Sequence, residues 1–131
     1  MKILVGYNGS EAAKAALSLA RDHAKTHNGV VYVITSMEGG SKETANEVHK
    51  AESDLEFAKG FIEEEGIECD TYQLARGLSP GEDIVNYADE NDIDHIFMGV
   101  EKKSKTQKIL LGSTAQFVIL KANCPVTTKK Q

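Results

Sequence analysis

No run of apolar residues in this chain approaches the roughly 20 that a membrane span needs, and the first, Ile3 to Val5, is too short for a signal peptide. The protein is therefore expected to begin at Met1 and to stay in the cytoplasm, without a membrane partner. Cysteine is scarce. Cys69 and Cys124 lie far apart and match neither a CxxC nor a zinc spacing, which excludes a disulfide framework and leaves two reduced, partly buried thiols. Positive charge is in deficit: 15 Lys and Arg against 20 Asp and Glu give a formal charge of -5. That balance argues against non-specific binding to nucleic acid or anionic lipid, while leaving room for a local basic patch. Repeats and low-complexity tracts are missing. Neither a Walker sequence nor Gly-x-Gly-x-x-Gly is present, so ordinary NTPase and dinucleotide-dehydrogenase readings fall away.

What is present is one ordinary domain over residues 1–131, with 40% hydrophobic and 27% charged residues. A chain of this length buries roughly two-thirds of the surface its unfolded form exposes, enough for a core without metal or disulfide. Apolar β-rich runs alternate with helical patterns. Lys2–Tyr7 reads as a first strand stopped by Asn8-Gly9-Ser10, and Ala13, Leu17, Ala20 and Ala24 then mark a helix from Glu11 to about His27, capped by Ser10 and ended by Asn28-Gly29. Val30–Ile34 is apolar on successive residues, as in a strand covered on both faces. Met37–Lys42 reads as a loop. Val48, Ala51, Leu55, Ala58 and Ile62 form the stripe of a second helix, behind Thr44 and Glu47 in capping-box spacing. A half-polar strand from Ile67 to Leu74 suits a sheet edge. Ser79-Pro80-Gly81-Glu82 opens a third helix with a capping box, Asp94–Gly99 is an interior strand, Ser113 with Gln116 predicts another capping box, and Pro125–Thr128 is a polar last strand. Lys129 to Gln131 reads as a solvated tail.

Such alternation implies right-handed βαβ crossovers and an open α/β parallel sheet with helices on both faces. The three most apolar strands belong inside and the two mixed ones outside, which gives the order 3-2-1-4-5. Ligands bind such sheets where the strand order reverses, here between the first and fourth strands. The loops at Asn8-Gly9-Ser10 and after Gly99 are therefore the expected site. After Gly99 come Lys102, Lys103, Lys105 and Lys108, then Gly112-Ser113-Thr114 opening a helix. Free N–H groups and the positive end of a helix dipole attract phosphate there, and Gly112 lets a ligand approach the backbone. A plain helix start beside a solvated loop is the competing reading.

Other candidates are weaker. His23 and His27 stand four apart on a helix, a metal-ligand spacing, but the sequence offers no third ligand and a helix-end role is preferred; His49 and His95 stand alone. Ser10, Ser79 and Ser113 read as N-caps, and neither a Gly-x-Ser-x-Gly elbow nor a His partner accompanies them, so no catalytic residue and no metal site is expected. A phospho-accepting role on the same fold needs acidic residues after the first strand, which Tyr7-Asn8 does not supply.

From the opening strand and Gly9-Ser10 to Cys124-Pro125-Val126, the whole chain resembles the universal stress protein family. The family's nucleotide motif is Gly, two residues, Gly, nine residues, then Gly with Ser or Thr. Gly99, Gly112 and Ser113 fall on it in register. The resemblance implies a flavodoxin-like fold of the adenine nucleotide alpha hydrolase type, usually a homodimer, which binds ATP in one branch of the family and none in another. It implies that Gly99, Gly112, Ser113 and Thr114 surround phosphates and ribose, with Asn8 and Ser36 meeting the nucleoside. The cofactor it implies is ATP or a related adenine nucleotide, with or without Mg. Two positions depart from the pattern. Asn8 stands where the family commonly has Asp, losing a carboxylate that could sit near a metal, and Lys102 replaces the middle Gly. Lys102 either pairs with phosphates or closes the site by its bulk. Two functions follow: a nucleotide-binding regulatory module in the stress response, or a dimer without nucleotide that acts through protein partners. Any ATP hydrolysis is expected to be slow and incidental.

Overall fold

The computed structural model describes residues 1–37, 44–101 and 111–130. In chain order the elements are β1 (Lys2–Gly6), α1 (Glu11–His27), β2 (Val30–Ser36), α2 (Ala45–Glu63), β3 (Cys69–Leu74), α3 (Pro80–Glu90), β4 (His95–Val100), α4 (Ser113–Lys121) and β5 (Val126–Lys130). The five strands form one sheet in the order β3-β2-β1-β4-β5, and every neighbouring pair is parallel. Successive residues Ile3, Leu4 and Val5 of β1 are all fully buried, because parallel strands cross over through helices that cover both faces.

The two faces have separate cores. Ile3, Val5, Val31, Val33 and Phe97 pack under Leu17 of α1 and Leu55 and Ile62 of α2. Leu4, Ile34, Ile96 and Met98 pack under Ile84 of α3 and Val118 of α4. Each fully buried aliphatic side chain contributes about 1.5–3 kcal/mol. Ala13, Ala20 and Ala24 line the buried face of α1, and their small side chains let that helix sit close to the sheet.

Helix starts follow local chemistry. The Ser10 and Thr44 hydroxyls accept from the N–H groups of Ala13 and Glu47, and Ser79 with Glu82 forms a complete capping box. Asn28 takes the left-handed conformation at the end of α1, and the Gly29 N–H closes back on the Ala24 carbonyl at 2.8 Å. The expected capping box of Ser113 and Gln116 does not form. Gly112 is the N-cap of α4 and supplies no side chain, while the Gln116 side-chain amide donates to the Leu111 carbonyl at 2.7 Å. The last strand also runs further than expected, since Lys129 and Lys130 pair with Gly99 and Val100. Ladder bonds need only backbone, so polar side chains do not end a strand whose partner continues.

His95 does not stand alone. It lies on β4 with its ring 4.9 Å from that of His23 and stacked on Phe97 at 4.5 Å, while His27 lies 4.3 Å from His23. The His95 ring nitrogen Nε2 is 2.7 Å from the Thr127 hydroxyl. Among the described residues no group of three or more His, Cys, Asp or Glu is arranged to hold a metal ion. Burial, then the neighbouring His27 imidazole, holds His23 below its ordinary 6.5; burial, then His23 and His27, does the same for His95. An unfolded chain binds protons at these sites more readily than the folded one, so acid favours unfolding. The melting temperature is expected to hold above pH 6.5 and to fall as pH drops below it toward the lower folded values. The fall should be smaller in His95→Gln, which thermal melts from pH 7.5 to 5 would measure.

Candidate functional site

The order of the sheet makes the site. Connections run outward from β1 through β2 to β3, then restart on the other side with β4 and β5, so the segments leaving β1 and β4 diverge and open a crevice above their C-terminal ends. A cavity of about 290 Å³ occupies it. Asn8, Ser36, Gly99, Gly112, Ser113 and Thr114 all line this cavity, although they come from four separate stretches of chain. Lys102, with Lys103, Lys105 and Lys108, lies outside the described residues.

Asn8 shapes the turn between β1 and α1. Its side-chain Oδ1 accepts from the Ser10 N–H at 3.1 Å, and its carbonyl accepts from Lys50 Nζ at 3.3 Å. The acceptor of the amide is thus engaged and its N–H groups are left for other partners. Gly9 in this turn has φ +78°, and a Cβ on it would lie 2.6 Å from the Asp54 carboxylate, which Lys50 holds at 2.7 Å. The left-handed backbone is what requires glycine there, and any side chain would also have to displace the Asp54 carboxylate.

Gly99 has a reason to be glycine before any ligand is considered. A Cβ on it would lie 2.3 Å from the Ala12 carbonyl carbon and 2.5 Å from the Ala13 nitrogen, inside the first turn of α1. Gly112 is different: its backbone is extended, and its missing side chain leaves the first amides of α4 without the side-chain acceptor that α1, α2 and α3 each have. Those N–H groups at Ser113 and Thr114 belong to residues lining the cavity, where the helix dipole adds partial positive charge. A phosphate fits such donors.

The far wall carries a polar group that the sequence reading passed over. Ser36, at the end of β2, donates its hydroxyl proton to Asp83 Oδ2. Asp83 is fully buried in α3, and Arg76 Nε donates to its Oδ1 at 3.0 Å while Arg76 Nη1 reaches Glu90 at 3.0 Å. Ion pairing and two hydrogen bonds are what make a buried carboxylate tolerable. The sequence holds one faint signal: Asp83 falls four residues before Tyr87, inside the arc of α3 that Ile84, Val85 and Ala88 bury. Beside Ser36, Thr35 donates to the Tyr7 carbonyl at 2.8 Å. Ile34, Ile84, Pro80 and Met98 complete an apolar lining, and Glu101 is the one charged residue among the described residues of the wall.

Burial, then Asp54 and Glu11, pushes the Tyr7 phenol up to about 12, and burial pushes the Cys69 thiol to about 12.

Comparison with known proteins agrees with this fold. The sequence model of the universal stress protein family matches residues 1–129. A solved universal stress protein of Archaeoglobus fulgidus superimposes with a TM-score of 0.92 at 38% identity, covering 99% of this chain and 98% of that one. Another structure of the universal stress protein from that organism, in complex with dAMP, gives a TM-score of 0.85 at 36% identity with the same coverage. A universal stress protein of Methanocaldococcus jannaschii is 34% identical over 99% of this chain and 82% of its own length.

The contact between Gly99 and α1 generates a test of its own. Gly99→Ala is expected to lower stability by about 1–3 kcal/mol through overpacking against backbone, with or without nucleotide, as urea denaturation would measure.

Proposed function

The chain belongs to the universal stress protein family, and from that premise we propose that it is a small cytoplasmic regulatory module that binds ATP, ADP or a related adenine nucleotide in this crevice as part of a stress response. The observation that carries the reading is the uncapped start of α4. Among the described residues, three helices close their first turns with a side-chain oxygen, and the fourth has none where its first residues line the cavity at the switch point. No side chain among the described residues accepts from those amides, which leaves them for an acceptor from outside the chain. The relative that binds dAMP, at 36% identity, supports an adenine nucleotide as that acceptor.

In this proposal the amides of Ser113 and Thr114 hold phosphate, and Lys102 adds charge to it. Asn8 and Ser36 meet the nucleoside. Glu101, the acidic side chain of the described wall, is the residue that would help hold Mg where it accompanies ATP, and the metal would supply positive charge against the phosphates. The module is a binder and not an enzyme. It works as a homodimer joined along β5, an edge strand that carries the exposed Lys129 and Lys130, and the exposed Ile119 and Leu120 of α4 offer apolar surface for pairing.

Gly112→Asp tests the central contact, because an aspartate there becomes an N-cap that satisfies the α4 amides from within. The substitution is expected to leave stability unchanged to within about 0.5 kcal/mol, since glycine and aspartate differ little as caps. At the same time it should weaken ATP binding by at least about tenfold, through lost donors and added repulsion. Calorimetric titration of nucleotide-stripped protein with Mg-ATP, wild type beside variant, reads both. Absence of binding by the wild type at millimolar ATP would move the function to protein partners.

A further inference from the structure

The two ends of the cavity differ in which half of a hydrogen bond they can supply. At the α4 end stand the N–H donors of Ser113 and Thr114, and Asn8 lines the same cavity. At the β2 end the two hydroxyls have their protons committed inside the protein. Thr35 donates to the Tyr7 carbonyl, and Ser36 donates to Asp83. Neither acceptor can give a proton back, because a carbonyl and a carboxylate paired with Arg76 are acceptors only. Toward the cavity, then, Ser36, which shares the α3 face of the sheet with Ile34, has lone pairs to offer and no proton.

Position adds a second constraint. β2 and β4 flank β1, so Ser36 at the end of β2 and Gly99 near the end of β4 are separated by about two strand spacings, roughly 9–10 Å, and the start of α4 lines the same cavity as Gly99. A nucleotide with its phosphate on α4 reaches that far with its base. The base end is also where Ile34, Ile84 and Pro80 supply apolar surface for a flat ring.

We propose that Asp83, acting through Ser36, makes the base end of the cavity a hydrogen-bond acceptor, so that the site selects a purine bearing an amine at its 6-position over one bearing a carbonyl there. This rests on the nucleotide reading of the crevice and adds to it a positioning residue and a basis for choosing the base. Nothing in the chain near Ser36 reveals it, since Asp83 lies 47 residues away and touches the cavity only through the hydroxyl it orients.

The experiment compares ATP with ITP, which carries a carbonyl where ATP carries the amine, by calorimetric titration of the full chain. Wild type is expected to bind ATP roughly ten- to a hundredfold more tightly, the penalty for setting a carbonyl against unpaired lone pairs. In Asp83→Asn, Arg76 still requires an acceptor, so the new amide turns its oxygen to Arg76 and its N–H to Ser36. Ser36 must then accept, and its own proton swings into the cavity. The preference for ATP should collapse to within about threefold or reverse, a change in ratio that a merely structural loss would not produce. Ser36→Ala removes the acceptor without disturbing the Arg76–Asp83 pair, and should narrow the ratio without reversing it; it carries the test if Asp83→Asn fails to fold. Equal affinities in wild type would overturn the proposal while leaving the nucleotide reading standing. So would a preference that survives both substitutions. Binding of neither ATP nor ITP would overturn both readings.

Discussion

The crevice exists because α1 can be seated almost on the backbone of β4. The seat depends on Gly99, where a single added carbon would lie 2.3 Å from the Ala12 carbonyl carbon. With α1 in that place, the turn from Tyr7 to Ser10 is drawn over the end of the sheet, and Asn8 and Gly9 are fixed against Lys50 and Asp54 of α2. The alanine face of α1 serves the same end, since bulkier side chains at Ala13 or Ala20 would lift the helix from the strands. A glycine of the nucleotide motif thus has a packing reason that operates with no nucleotide bound, and position 99 alone says little about ligands.

Polar atoms at the other wall answer to a different constraint, the cost of a buried charge. Asp83 has no exposure, and the structure surrounds it with Arg76 from the preceding loop and Ser36 from β2. Removing a partner from such a pair is strongly destabilising, whereas the intact pair adds little net stability over an apolar substitute. What the arrangement does provide is direction. It fixes the Ser36 proton, ties the end of β2 to α3, and gives the cavity an acceptor wall facing the donor wall of α4.

The sheet was legible because burial on both faces writes itself into β1, β2 and β4 as successive apolar residues, while the mixed composition of β3 and β5 marks them as edges. Ser10, Thr44 and Ser79 were legible as caps, since capping is decided within a few residues. The start of α4 was not. Ser113 and Gln116 have the spacing of a capping box, yet Gln116 turns back to Leu111, and spacing cannot tell which carbonyl or amide a side chain will reach. The convergence of Asn8, Ser36, Gly99 and Gly112–Thr114 on one cavity was expected from the reversal of strand order together with the family resemblance. Asp83 and the partnership of His95 with His23 were missed because each joins residues far apart in sequence. An acid in the first turn of a helix already has a sufficient explanation in the helix dipole, and nothing local suggests burial.

The most direct measurement is of the backbone amide resonances of isotope-labelled protein as ATP is added. The account predicts saturable shifts centred on Ser113, Thr114 and Asn8, with the amides around His23 and His95 unmoved. Saturable shifts elsewhere on the molecule with those of Ser113 and Thr114 unchanged, or no shifts at millimolar ATP, would contradict it.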